Sequence, residues 1–133
     1  MFHTASTFKV PILAELYRQI DAGIIDPGSR VDLRDDLRAP GSGVLKEMGA
    51  GMQPSVHDLA MLMIIVSDNT ATDLVYHMVQ REKLNATMQD WGLANTRLPF
   101  SCRELLYSMF GVETDDVPLG NSQVTMLLAR QEI

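Results

Sequence analysis

The chain has 133 residues, of which 46% are apolar, enough for one hydrophobic core and too few for several independent ones, so a single domain over residues 1–133 is expected. Seventeen acidic side chains against eleven Lys and Arg give a formal charge of −6, and no basic cluster stands ready to neutralise phosphates, which argues against nucleic acid as a partner. The single cysteine, Cys102, excludes an internal disulfide and a multi-cysteine zinc site.

The longest apolar run, residues 59–66, falls far short of the roughly 20 residues a membrane-spanning helix needs. The opening Met1-Phe2-His3-Thr4-Ala5 lacks the charged-then-apolar pattern of a secretory signal and leaves the compartment undecided. Residues 6–22 carry Phe8, Ile12, Leu13, Leu16, Tyr17 and Ile20 at helical spacing, with Glu15, Arg18, Gln19 and Asp21 on the other side and Gly23 as the stop. Pro11 is tolerated only in a first turn, so the spacing predicts a helix starting near Ser6 or Thr7.

Residues 24–54 are punctuated by Pro27-Gly28, Pro40-Gly41, Gly43, Gly49 and Gly51 and read as a long connection with brief extended or single-turn pieces. Ser55 with Asp58 three residues on forms a capping-box pattern, and the apolar residues that follow predict a buried central helix over 55–66. A second helix is expected over about 69–80, with Ala71, Leu74, Val75 and Met78 on one face, and a third over 82–90. Residues 95–120 contain Pro99, Gly111, Pro118 and Gly120 and read as a long loop with a turn of helix at 103–109. Asn121 or Ser122 can cap a last helix bearing Val124, Leu127 and Leu128. The pattern is mainly α, without the alternation that builds a sheet.

Two short motifs carry chemistry. In Ser6-Thr7-Phe8-Lys9 the hydroxyl and the amine lie three residues apart at a helix start and share a face. Serine becomes a nucleophile only when a base takes its proton, and a lysine can do so only when neutral. From an ordinary pKa near 10.4 that requires a downward shift of about three units, toward which burial and the helix N-terminus both push. Taken alone, a Ser and a Lys three apart are also common by chance. Ser67-Asp68-Asn69 follows the apolar helix directly; it is equally readable as a cap pair joining two helices, or as an inward turn whose serine relays a proton and whose asparagine holds an amide.

Together, Ser6-x-x-Lys9 and Ser67-Asp68-Asn69 resemble the penicillin-recognising serine hydrolases, that is, class A β-lactamases and penicillin-binding D-alanyl-D-alanine peptidases. The text around them is similar too: Thr4-Ala5-Ser6-Thr7-Phe8-Lys9-Val10-Pro11, Gly41-Ser42-Gly43-Val44-Leu45 and Val66-Ser67-Asp68-Asn69-Thr70-Ala71-Thr72. The resemblance runs from residue 2 to the end. It implies that Ser6 attacks a lactam or peptide carbonyl, that Lys9 is a candidate acylation base, and that Ser67 passes a proton to the departing nitrogen. It further implies that Asn69 binds the acyl side-chain amide and Lys9, that Asp68 is structural, and that the Ser6 backbone N–H forms half of an oxyanion hole worth about 3 kcal/mol. Neither cofactor nor metal is implied. The expected ligand is a small β-lactam or a peptidoglycan-like peptide, and family members are often periplasmic or secreted.

The sequence departs from the family twice. No Lys is followed by Thr-Gly or Ser-Gly, so the third family motif is missing, along with the strand that supplies the second oxyanion donor and the substrate-carboxylate site. The expected fold is therefore the helical lobe of the β-lactamase/transpeptidase-like α+β fold, with most of the sheet outside this chain and a complementary β-rich segment as a partner. The second departure lies in the loop that carries the deacylating glutamate of class A enzymes in a Glu-x-x-Leu-Asn pattern. Aligning on Thr96-Arg97-Leu98 puts Cys102 at the base position, keeps Leu105 and replaces the asparagine by Leu106; Glu104 stands two residues late, with Tyr107 where its leucine belongs. Cys102 and Glu104 are thus the candidate deacylation-loop positions, and Cys102 is otherwise a small packing residue.

The remaining polar and soft residues take simpler readings. His3, His57 and His77 lack metal-ligand spacing, Met48, Met52, Met61, Met63 and Met78 read as core filler, and Asp35-Asp36 with neighbouring arginines read as a solvated face. The leading expectation is a serine hydrolase that opens β-lactams through an acyl-Ser6 intermediate. The alternatives are a peptidase or esterase that acylates and deacylates slowly, and a catalytically inactive helical fragment acting as an interaction module.

Overall fold

The computed structural model describes residues 5–109. A 3-10 turn, Ala5–Phe8, feeds α1 (Lys9–Asp21), and Pro11 falls in the first turn of α1, where its missing N–H leaves no helical bond unmade. The helix ends in a Schellman arrangement: Gly23, at φ +72°, donates to Ile20 O at 2.9 Å and Ile24 donates to Gln19 O at 2.9 Å.

Residues 24–54 form the long connection expected from their Gly and Pro content, with 3-10 turns at Asp35–Leu37 and Leu45–Glu47. The segment doubles back on itself through Val31 N–H to Pro54 O (2.9 Å) and Leu33 N–H to Met52 O (3.0 Å). Arg30 and Ser55 make an isolated antiparallel bridge, and no strand occurs among the described residues. The solvated-face reading of residues 34–38 needs correction at Arg38. That side chain is buried, pairs with Asp35 at 2.7 Å and donates to the carbonyls of Leu45 (2.9 Å) and Lys46 (3.0 Å), so it holds the second turn in place.

Helix α2 (Val56–Ile65) begins with the capping box read from Ser55 and Asp58: Asp58 N–H donates to Ser55 Oγ and Ser55 N–H to Asp58 Oδ2, each at 3.0 Å. Its expected burial on all faces is not found. Val56, Leu59, Ala60 and Met63 are buried, but Ile64, Ile65 and Val66 are 43%, 74% and 42% exposed. The central helix is instead α3 (Asn69–Val79), which packs on α1, α2, α4 (Arg81–Asp90) and α5 (Cys102–Met109) and buries every residue from 70 to 76. Because α3 has neighbours on most sides, its Thr70, Thr72 and Asp73 are buried along with its apolar face.

Gln19 ties α1 to α3 by donating to Val79 O at 2.9 Å, and it also donates to the buried Glu15, which pairs with Arg18 at 2.8 Å as well. The core is built from Ile12 and Leu16 of α1, Leu59 and Met63 of α2, Leu74, Val75, Tyr76 and Val79 of α3, and Leu84 and Met88 of α4. Of the methionines read as filler, Met63 fits that role, Met61 and Met78 are half-buried, and Met48 and Met52 are each 40% exposed on the long connection. Within the expected loop, α5 makes two helical turns from Cys102, one residue earlier than its spacing suggested. The helix expected near Asn121 lies outside the described residues. No helix among those described is long and apolar enough to cross a membrane.

Candidate active site

Three elements meet at one point: the turn before α1, the turn between α2 and α3, and the glycine-rich stretch at residues 41–43. Ser6 is exposed on the first of these, while Lys9, the first residue of α1, is only 1% exposed. Ser67 stands between them. Its Oγ contacts Ser6 Oγ at 2.8 Å, and Lys9 Nζ donates to Ser67 Oγ at 2.8 Å, to Ser67 O at 2.7 Å and to Asn69 Oδ1 at 2.8 Å. The two motifs, far apart in the chain, thus form one continuous hydrogen-bonded path from the Ser6 hydroxyl to the Lys9 amine.

The turn that carries Ser67 is held from below. Ser67 itself has φ +54°, a left-handed conformation uncommon outside glycine, and its carbonyl accepts from Ser42 Oγ as well as from Lys9. Asp68 caps α3 by accepting Ala71 N–H (2.8 Å) with Oδ1, while Oδ2 accepts Val44 N–H (2.6 Å) and Leu45 N–H (2.9 Å). This close seating explains Gly43, at φ +113°, where an added Cβ would lie 2.5 Å from Asp68 Cα. Asn69 is fixed in the same way: its N–H donates to Ser42 O and its Nδ2 to Pro40 O, each at 2.9 Å.

Burial drives the pKa of Lys9 below its ordinary 10.5, against the opposing pull of the Asp68 and Asp73 carboxylates. The desolvated amine is kept in place by its three acceptors. Cys102, a candidate from the sequence, is seated on a buried carboxylate that the sequence reading did not single out, Asp73. Asp73 accepts Cys102 N–H with Oδ1 (2.6 Å) and Arg103 N–H with Oδ2 (2.9 Å), so α5 begins on the Asp73 carboxylate. Burial nevertheless raises Asp73 to a pKa of about 6, the two N–H donors offsetting only part of the desolvation. The thiol of Cys102, 3% exposed, is pushed up by burial first and by the Asp73 charge second, which keeps it protonated at neutral pH.

Glu104 is engaged elsewhere. Its carboxylate accepts Ser101 N–H at 2.8 Å and pairs with Arg81 Nη2 at 3.0 and 3.1 Å, while its own N–H donates to Ser101 Oγ at 3.2 Å. Ser101 and Glu104 therefore form a capping box for α5. Leu106 reaches the site from α5: its Cδ1 lies 3.9 Å from the position of a Gly41 Cβ, which itself would fall 2.6 Å from Asn69 Nδ2. His57 and His77 are exposed, and His3 lies outside the described residues. A carboxylate one turn beyond Asn69 on a helix with buried neighbours was the available sign of Asp73; Arg81 and Tyr76, which reach the same segment, left no motif.

A family model described as the beta-lactamase enzyme family matches residues 1–129. The chain is 26% identical over 103 residues to the beta-lactamase regulatory protein BlaB of Streptomyces cacaoi, covering 77% of this chain and 33% of that protein. Among solved structures, a beta-lactamase from Sphaerobacter thermophilus superposes with a TM-score of 0.73 at 36% identity, covering 77% of this chain and 39% of the other. PBP-A superposes at 0.71 with 35% identity over 76% of this chain and 38% of its own. An acyl-enzyme complex of a PBP-A mutant with penicillin G superposes at 0.69 with 37% identity, over 73% and 37% of the two chains. The chain thus spans about two fifths of these structures, and the helical architecture described above is part of a β-lactamase/transpeptidase fold. The chain belongs to the beta-lactamase enzyme family.

Proposed function

We propose that Ser6 is the nucleophile of a serine hydrolase that opens β-lactam rings through an acyl-Ser6 ester. The observation that carries this reading is the unbroken path Ser6 Oγ, Ser67 Oγ, Lys9 Nζ, with both contacts at 2.8 Å. With Lys9 neutral, the Ser6 hydroxyl proton passes to Ser67 Oγ as the Ser67 proton passes to Lys9 Nζ. Ser6 Oγ then bonds to the lactam carbonyl carbon. As the tetrahedral adduct collapses, the C–N bond breaks and the nitrogen takes back a proton through Ser67, leaving Lys9 neutral again. Burial of Lys9 favours the neutral amine this cycle needs. Asn69, anchored on Pro40 O and Ser42 O, is placed to hold Lys9 and to offer its amide to the acyl side chain. The family's Lys-Thr-Gly strand is absent from this sequence, and in this proposal its oxyanion donor and carboxylate site come from a complementary β-rich segment.

A second reading of the same site is favoured by Cys102 and Leu106: an enzyme of the peptidase or esterase kind that acylates and then releases slowly. A thiol held protonated by burial cannot take a proton from water, and Leu106 offers no hydrogen bond to hold one. Labelling with a fluorescent penicillin tests both. The wild-type chain is expected to take up label and Ser6→Ala to take up none; equal labelling of the two removes Ser6 from the mechanism. Rapid loss of label supports hydrolysis, and a lasting label supports the slow-release reading.

A further inference from the structure

Arg81 opens α4 directly after Gln80, whose φ of +70° turns the chain sharply out of α3. From that corner the guanidinium reaches both ends of the segment that carries Cys102. Its Nε donates to Tyr76 Oη at 3.0 Å, and the buried Tyr76 hydroxyl in turn donates to Leu98 O at 2.7 Å. Its Nη2 donates to both carboxylate oxygens of Glu104, which caps α5 through Ser101. Asn85, one turn along α4, accepts Leu98 N–H at 2.8 Å and donates to Arg81 O at 2.9 Å, closing the near side. Residues 98 and 104 are therefore tied to one side chain, and Cys102 lies between them with its N–H on Asp73, one turn along α3 from the Asn69 that accepts from Lys9.

We propose that Arg81 is the positioning residue that keeps residues 98–104 seated on Asp73, one turn along α3 from the Asn69 that holds Lys9, and that through this segment it sets how long an acyl group stays on Ser6. The lifetime part rests on the reading of Ser6 as the acylated residue. A partly exposed ion pair is weak by itself. Arg81 differs because its planar fork serves a carboxylate and a buried hydroxyl at once, which lysine cannot reproduce. Loosening the segment hydrates Lys9, raising its pKa, and admits water to the site on the side where Leu106 approaches Gly41 and Asn69. Acylation should then need a higher pH, and release should quicken.

Cys102 is the only cysteine of the chain, so its labelling by a chromogenic aromatic disulfide reports the seating directly. Relative to wild type, Arg81→Ala is expected to label at least about tenfold faster, with Arg81→Lys in between. Glu104→Gln, which retains a capping side chain while removing the charge, is expected to accelerate labelling by a smaller factor. In parallel, bound fluorescent penicillin should leave Arg81→Ala severalfold faster, and the pH midpoint of its acylation should rise. An Arg81→Ala chain with wild-type helical circular dichroism but unchanged labelling and release overturns the proposal. So does a variant that merely melts earlier, with labelling, release and pH midpoint unchanged below its melting temperature. If Arg81→Ala does not fold, Glu104→Gln and Tyr76→Phe decide by the same readouts. If wild type takes up no penicillin, the Ser6 reading and the lifetime role both fail, while thiol labelling still decides whether Arg81 seats the segment.

Discussion

Replacing Asp73 by asparagine isolates the energetic consequence of burying a carboxylate at the start of α5. The folded-state pKa of about 6 lies above the ordinary 3.8, so the folded protein binds this proton more tightly than the unfolded chain does. The stability linked to this group is therefore fully present below pH 3.8 and is lost as the pH rises through about 6. At 1.36 kcal/mol per pH unit, the displacement from 3.8 to about 6 amounts to about 3 kcal/mol. Asparagine is neutral throughout. Its Oδ1 can accept from only one of the two N–H groups, Cys102 or Arg103, that Asp73 now satisfies, at a pH-independent cost of about 1–3 kcal/mol. The unfolding free energy of Asp73→Asn minus that of wild type should thus move by about 2 kcal/mol in favour of the variant between about pH 4 and pH 7.5, the rest of the displacement falling below pH 4, whatever its sign at either end. Urea unfolding of both chains, followed by circular dichroism across that range, measures the difference and cancels most of the titration they share. A difference that stays flat with pH, or that moves in favour of wild type, refutes the reasoning.

Gly43→Ala would place a Cβ 2.5 Å from Asp68 Cα at φ +113°, and a loss of more than about 3 kcal/mol is expected; a thermal midpoint within a degree or two of wild type contradicts the packing described for the Ser67 turn. Ser55→Ala removes the hydroxyl that accepts Asp58 N–H and should cost about 1 kcal/mol in urea unfolding, and no measurable cost would show that the α2 cap is not structural. Cys102→Glu puts a carboxylate at the position aligned with the family's deacylating glutamate. Bound penicillin should leave that variant faster than wild type, and an unchanged release rate would count against the alignment of this loop.

The two motifs were legible because each depends on short spacing: Ser6 and Lys9 share a helix start, and Ser67 and Asn69 share one turn. Their joining was not legible from spacing alone, since it depends on α1 and α3 packing side by side and on Ser67 adopting a left-handed backbone. The capping box of α2, the Gly23 stop and the long connection were readable for a related reason: local hydrogen bonding and glycine conformation determine them. The central helix was misplaced. Residues 59–66 form the most apolar run, yet α3, with Thr70, Thr72 and Asp73 in its sequence, is the more enclosed helix. Periodicity counts apolar side chains, whereas burial follows the number of neighbours. Arg38 and Arg81 escaped for the same reason, because their partners are backbone carbonyls or side chains brought close only by the fold.

Mass spectrometry of the chain after incubation with benzylpenicillin decides whether Ser6 is the acylated residue. Opening the ring leaves the departing nitrogen tethered to the acyl group, so a single acylation adds the full mass of the intact lactam. That increment is expected on the peptide containing Ser6 and is abolished in both Ser6→Ala and Lys9→Met. An unmodified wild-type chain, or the same increment carried by another residue, would contradict that expectation.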